Sequence, residues 1–418
     1  MPVTLALTIA VFAVGVDSYI VAAVLPAIAD ELREPVAAVG LLASAYNLPT
    51  AIFAPIFGPF SDRRGRRAAM LLGLTIFAIA AAACVVAPTL PLLILARAIN
   101  GLGAAIVLPA TFAYAADLPS PAERARAMGI AVSAFPLSNL IGLPIGALVA
   151  GLAGWHAAFG FVFVVAVAAF FLIRRLPEER PAAGTVHRGY LESYGAVLGN
   201  RRALAVLSVT FFWFAGSMGL FIYLGEFFHE SFGLSTTQAG LAYLVVGVVG
   251  VAASRLSARL LGRIGPRRTV LLGIAAFVVG SFVLPFTVVA IWVALLVLAF
   301  WAFGTWFGQP GQQMIVAGLS DRLRGTMLAF NSSALNLGGV FGPIATGQVL
   351  AWGGFNAAAR WGTFVGLIAL AIAWFVLPRR PAPPVPVAAE LAVAAVGVPA
   401  APVAHTPDDQ RPDPVPPA

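Results

Sequence analysis

Two residues of opposite charge, Asp17 and Arg97, stand in segments that are otherwise uncharged and long enough to cross a bilayer. Asp17 lies nine residues before Pro26 and Arg97 six after Pro91. On helices these spacings are roughly 13 Å and 9 Å, so the two groups are predicted at similar depths. A carboxylate in hydrocarbon must pair, face water or bind a proton. The chemistry open to Asp17 is therefore reversible protonation, with Arg97 biasing it. The alternative is a static ion pair that fastens two helices.

The elements that must hold this pair follow from composition. Of 418 residues 60% are hydrophobic and only 10% charged, with a mean hydropathy of +0.94, which excludes an ordinary soluble domain. Twelve apolar windows of helical length run from Val3–Ile28 to Ala357–Leu377. The first is read as a retained span, since it has no basic leader and no small-residue cleavage site. Between the second and third windows, the stretch Gly58–Arg67 carries four arginines and an aspartate and is predicted to be a tight aqueous turn. Arg63, Arg64, Arg66, Arg67, Arg124, Arg126, Arg263, Arg267, Arg268, Arg322 and Arg324 all fall on one side of the implied topology, against Arg33 and Arg360 on the other. Short arginine-rich loops stay in the cytoplasm, so both termini are expected there, in a multi-pass protein of the bacterial plasma (inner) membrane. That placement also explains the net charge of +8 without nucleic acid. Cys84, the single cysteine, allows no intramolecular disulfide and suggests no metal or redox role.

The chain divides into an N-terminal six-helix bundle (1–174), a linker with a possible surface helix (175–202), a C-terminal six-helix bundle (203–378) and a disordered Pro/Ala-rich tail (379–418). An internal repeat joins the bundles. Asp62–Arg67 returns as Gly262–Arg268, and Gly142–Gly146 as Gly338–Gly342, at an offset near 200 residues. Two parallel halves related by an axis along the membrane normal enclose a cavity at mid-membrane and can rock around it.

These motifs resemble the major facilitator superfamily, in its twelve-span drug:proton antiporter branch, which includes bacterial multidrug, chloramphenicol and arabinose-type efflux permeases. Gly58, Asp62, Arg63, Gly65, Arg66 and Arg67 are similar to that superfamily's loop motif between spans two and three. Leu95, Arg97, Asn100, Gly101, Gly103, Ala104 and Ala105 resemble the span-four motif of its exporters, with Asn100 where many members carry Gln. Gly142, Pro144 and Gly146 resemble the antiporter motif of span five in a looser form, because Leu143 splits the usual Gly-Pro pair. The resemblance implies the twelve-helix fold and a cytoplasmic latch that holds the outward-facing state, in which Asp62 meets the start of span eleven near Gly325 and Arg66 pairs with Asp117. It also implies that the span-five glycines close the cavity against leak; the residues alone imply close helix packing and a bend. Gly262 in place of Asp62 predicts a weaker latch in the second half.

Amides and aromatics inside membrane helices need partners, and several are expected to line the cavity: Asn100, Asn139, Trp213, Tyr223, Trp306, Gln309, Gln313, Asn331 and Asn336, with Trp301 in the same cluster. Glu226 and His229, one turn apart near the outer end of span seven, are expected to reach interfacial water. No nucleotide-binding loop, metal-ligand cluster or nucleophile constellation is present in the sequence. The expected function is therefore not enzymatic. It is proton-coupled efflux of small, largely hydrophobic or amphipathic compounds by alternating access, with the proton gradient as energy source and no cofactor. The expected partners are the small-molecule substrate, protons and the lipid bilayer, with the chain acting as a monomer. A proton-coupled sugar or nucleoside transporter of the same fold is the alternative, and a non-transporting membrane sensor a more distant one.

Overall fold

The computed structural model describes residues 2–178, 190–320 and 323–378, apart from the side chains of a few helical residues. The predicted tail at 379–418 lies outside them. Among the described residues every regular element is helical, as hydrocarbon requires of a chain that must satisfy its own backbone groups.

Spans one to six are Pro2–Leu32; Val36–Val39 with Leu41–Arg64; Arg66–Val86; Leu90–Ala116; Pro121–Leu137 continuing to Ala153; and Trp155–Arg174. Spans seven to ten are Arg201–Ile222 with Leu224–Phe232; Thr236–Ile264; Pro266–Val283 with a 3-10 turn at Leu284–Val289; and Ile291–Phe307 with Gln309–Ala317. Spans eleven and twelve lie in one continuous assignment, Arg324–Val376, which is 53 residues long and too long for one crossing. Gly353 (φ −139°) and Gly354 (φ 66°) break it into two. The protein is thus an all-helical, twelve-span membrane protein built as two six-helix bundles.

The predicted turn after span two is shorter than the ten residues of Gly58–Arg67 suggest. The helix runs on to Arg64, and the reversal takes place at Gly65 alone, with φ 88°, before span three starts at Arg66. A positive φ of this size is open to glycine at little cost. Gly58 consequently lies inside a helix rather than in the turn. The C-terminal half reverses in the same way at Gly265, φ 80°.

The linker expected at 175–202 does carry a helix, Tyr190–Leu198. Asn200 caps the start of span seven by accepting hydrogen bonds from the backbone N–H groups of Arg202 and Ala203, at 3.0 and 3.2 Å, so Arg201 and Arg202 begin that span.

Span two packs on span eleven and span five on span eight, while span one touches spans seven and eight. Two polar links across this seam lie toward the arginine-poor face. Ser44 Oγ donates to the Val340 carbonyl at 2.8 Å, and Tyr243 Oη is shared between the carbonyls of Ala22 (3.1 Å) and Phe221 (3.2 Å). The halves are sealed at that end.

Candidate functional site

Span one carries Asp17 among side chains that are almost all buried, and span four carries Arg97 opposite it. Arg97 Nη1 lies 2.6 Å from Asp17 Oδ2, and Nη2 donates to the Asp17 carbonyl at 3.1 Å. Both side chains are completely buried. The guanidinium lies over the Tyr46 ring, 4.5 Å from its centroid, with Phe159 on another side at 5.9 Å. Tyr46 Oη accepts from Ser18 Oγ at 3.0 Å and donates to the Val14 carbonyl at 3.3 Å, which ties the aromatic platform to span one. Asp17 Oδ1 has no hydrogen-bond partner. Two charges without water are retained only if they satisfy each other, and removing one partner costs about 3–5 kcal/mol. The arrangement can therefore do one thing that a neutral core cannot. A proton arriving at Asp17 removes the attraction and leaves Arg97 as an unpaired buried cation, which favours a different helix arrangement.

The pair lies inside the N-terminal bundle, next to the seam rather than in it. Two residues further along, Tyr19 reaches the seam, edge-on to Phe135 (6.0 Å) and to Phe221 of span seven (5.4 Å). Phe221 in turn faces Trp301 at 6.5 Å. Tyr19, Phe221 and Trp301 line a central cavity of about 30 Å³ together with Asn139, Phe214, Ser217, Met218, Val246, Thr305 and Trp306. A space of that size holds about one or two waters, so an organic solute requires the halves to move. None of the lining residues is charged, and the Asn139 amide is buried there beside the Tyr19 hydroxyl.

Span five bends where it approaches span one. Ser138–Gly142 forms a π turn directly before Pro144, whose ring cannot continue the α-helical bond pattern. A Cβ at Gly142 would meet Val16 Cγ2 and one at Gly146 would meet Ile20 Cδ1. The glycines thus admit the two span-one side chains that flank Asp17.

Of the loop-motif residues, Arg66 Nε lies 3.0 Å from Asp117 Oδ2 and Arg66 Nη1 donates to Ser61 Oγ at 2.8 Å. Arg67 Nη1 contacts Glu178 Oε1 at 2.6 Å, and Nη2 donates to the Arg174 carbonyl. These bonds join spans two, three, four and six with the linker inside one half, so they clamp the N-terminal bundle to itself. The side chains of Gly58, Asp62 and Arg63 lie outside the described residues, and with them the expected contact of Asp62 near Gly325.

The sequence profile of the Major Facilitator Superfamily matches residues 7–322. The chain belongs to that superfamily. Among its relatives, YwfA, an MFS-type transporter of Bacillus subtilis, is 29% identical over 88% of each chain. The chloramphenicol resistance protein of Streptomyces lividans is 26% identical over 88% of this chain and 93% of its own. The solved D-xylose-proton symporter superposes with a TM-score of 0.74 at 20% identity, covering 90% of this chain and 98% of that one.

Within this superfamily member the expected cavity set separates by helix face. Asn139 and Trp306 line the central cavity. Asn100 does not: its Nδ2 lies 3.5 Å from the Phe77 carbonyl, between spans four and three. Trp213 is buried inside the C-terminal bundle, where its indole occupies the space a Cβ at Gly308 would take. Tyr223 Oη donates to the Pro343 carbonyl at 3.0 Å. Asn336 Nδ2 bonds within its own helix to the Ser332 carbonyl. Gln309 is half-buried and outside the cavity lining, while Gln313 is exposed. The buried amide is its neighbour Gln312, whose Nε2 donates to the Val206 carbonyl (3.0 Å) and Thr210 Oγ1 (2.9 Å). Thr210 then donates to Asn331 Oδ1 at 2.7 Å, so Asn331 belongs to a strut joining spans seven, ten and eleven. A count of helix phase finds Gln312, because Trp301, Thr305, Gly308 and Gln312 share the buried face of span ten. Glu226 is also buried, with Oε2 unpartnered, whereas His229 is exposed, its Nδ1 3.0 Å from the Leu234 carbonyl.

Proposed function

We propose that this transporter exports small, largely apolar or amphipathic organic compounds from a bacterial cell in exchange for protons, with its arginine-rich face in the cytoplasm. The observation that carries the reading is the sealed Asp17–Arg97 pair, with its unpartnered carboxylate oxygen, beside an uncharged aromatic cavity. In this reading the deprotonated pair holds spans one and four together. In the arrangement open to the outer side a proton reaches Asp17 and releases Arg97, spans one and five shift along the Val16–Gly142 and Ile20–Gly146 contacts, and the cavity closes outside and opens to the cytoplasm. Proton release to the cytoplasm resets the pair, so cargo and proton move in opposite directions. The named activities of relatives in chloramphenicol and multidrug resistance support the cargo class. The lining supports it too. One amide and three hydroxyls among rings, with no charged group, suit an amphipathic solute better than a sugar or nucleoside, whose polar groups each need a partner.

The test is transport by the full chain in proteoliposomes with an imposed proton gradient, using chloramphenicol and a panel of amphipathic cations as probes. Wild type is expected to move at least one probe against the gradient with counterflow of protons. Asp17→Asn is expected to lose uphill transport while retaining the fold. Uphill transport by Asp17→Asn at the wild-type rate would show that the pair is only a fastener.

A further inference from the structure

A second cavity, of about 510 Å³, opens on the flank of the molecule between span two, span seven, span eleven and the linker helix. Its volume falls within the range of ligand pockets. Its rim carries Ile52, Ile56, Leu198 and Leu204, which are 49%, 52%, 55% and 41% exposed, so the opening faces the surrounding hydrocarbon rather than the central cavity. Polar groups in its wall are few and mostly engaged. Tyr194 Oη donates to the Pro55 carbonyl at 2.7 Å and Ser208 Oγ to the Ala205 carbonyl at 2.9 Å, which leaves Ser333 Oγ as the wall's unpartnered hydroxyl. Water gains little in such a crevice, and a polar solute would lose its hydration without compensation. A hydrocarbon chain loses nothing by entering.

Charge at the mouth says what the chain is attached to. Span seven presents Leu204, Leu207, Ser208 and Phe211 to the crevice, a helical stripe of spacing three, one and three. Extending that stripe back by one turn reaches Arg201, beside Arg202, and both are exposed at the arginine-rich face. The acidic residue of the linker helix, Glu192, stands two positions from Tyr194 and so lies off the face that closes the crevice. An apolar slot in one leaflet with a pair of cations at its headgroup end is complementary to one kind of molecule.

We propose that this crevice is a binding site for an anionic phospholipid, one acyl chain lying between spans two and eleven and the headgroup phosphate meeting Arg201 and Arg202. Because spans two and eleven belong to different halves, the bound chain wedges the seam on the arginine-rich side, and occupancy favours the arrangement in which the opposite end is sealed. The site does not depend on the proton-coupled export reading, and its test reads lipid binding rather than transport.

The experiment uses the full chain in nanodiscs that contain phosphatidylglycerol with a photoreactive diazirine near the end of one acyl chain. Labelling is expected on the peptides that carry Ala51–Ile56 and Phe330–Leu337. Labelling confined to other spans overturns the site, and equal labelling by the phosphatidylcholine analogue overturns the headgroup assignment. In native mass spectrometry one phosphatidylglycerol is expected to remain bound where phosphatidylcholine of the same chains is lost. Each arginine contributes about fivefold to that preference, so Arg201→Gln with Arg202→Gln should reduce it roughly twenty- to thirtyfold. Ala334→Trp, which fills the slot, is expected to abolish the retained adduct in protein that remains helical and monodisperse. Retention of the adduct in that variant counts against the proposal, and the cross-linking result on the unaltered chain stands whether or not the variant folds.

Discussion

The two halves of this transporter repeat each other at a step of 200 residues, and the places where they differ are where chemistry has been put. Gly65 and Gly265 make the same single-residue turn, and Gly154 and Gly354 make the turns that separate spans five from six and eleven from twelve, all at positive φ. Arg67 donates to the carbonyl of residue 174 and Arg267 to that of residue 374, the second bond measuring 2.8 Å with the guanidinium stacked on Trp374. Scaffold is thus duplicated down to individual hydrogen bonds. Charge is not. Asp17 corresponds to Ser217, Arg66 to Pro266 and Asp117 to Ala317, and the segment corresponding to Arg97 reads Val297-Leu298. Ser217 Oγ bonds only to a carbonyl of its own helix, 3.3 Å away at Phe214. One half therefore carries an internal ion pair, while the other presents rings and a neutral amide strut. The lesson is that duplication has kept the turns and the packing glycines of this fold while leaving the buried ion pair in one half alone.

The largest way to break this comparison is to remove the cation. Arg97→Met strands a buried carboxylate and is expected to lower stability by about 3–5 kcal/mol, whereas Leu298→Met in the other half should cost less than about 1.5 kcal/mol. Thermal unfolding in detergent, followed by tryptophan fluorescence, separates the two. The double variant Asp17→Leu with Arg97→Met, which removes both charges, should recover most of the stability yet carry no proton-driven transport. Comparable losses in the two halves would mean that the pair carries no special strain.

A smaller contrast lies in the glycine seams. A methyl at Gly342 meets the Ala215 carbonyl, and backbone cannot give way, so Gly342→Ala is expected to cost about 1–3 kcal/mol. At Gly146 the obstacle is the end of the Ile20 side chain, which can rotate, and Gly146→Ala should be milder. The reverse order in melting temperature would show that span five is the more tightly packed of the two.

Smaller again is the surface clamp. Arg66 and Asp117 have side chains 18% and 50% exposed, and a solvated pair of this kind is worth about 0.2–1 kcal/mol. Asp117→Ala should therefore lower the melting temperature of the protein only slightly, Ala317 being the residue at the equivalent place in the other half. A melting point lowered by much more would assign the pair a part in closing the arginine-rich side.

Much of this architecture was legible in the residues because its signals are local. Apolar windows give spans, and glycine beside arginine gives turns, whatever lies elsewhere in the chain. The repeat could be read for the same reason. What could not be read was direction. Gln312 and Gln313 are identical in type and adjacent, yet a helix turns about 100° between them, so one closes a strut and the other is exposed. Glu226 has the composition of an interfacial residue. The non-helical turn at Tyr223 starts a new helical segment at Leu224, and Glu226 is buried within it. The approach of Asp17 and Arg97 was legible from their depths alone, but the Tyr46 platform and the π turn at Ser138–Gly142 depend on how spans meet, which no single window records.

The finest test of the comparison concerns the linker, the one described element outside the repeat. Tyr194 bonds the Pro55 carbonyl in the first half and packs its ring edge-on against Phe330 in the second, 5.5 Å away, so it bridges both. Partial burial raises its hydroxyl above the ordinary value of 10.0. The folded chain then holds this proton more tightly than the unfolded chain does. The stabilisation is complete below pH 10.0 and fades as pH climbs through the folded value, where the donor to Pro55 is lost. Tyr194→Phe removes the donor at every pH while keeping the ring against Phe330. Melting curves of the two proteins should differ at about pH 8, and the gap should narrow as pH rises beyond the unfolded value of 10.0, the other tyrosines titrating alike in both. A gap that stays constant over that range would mean that the bridge is held by the ring alone.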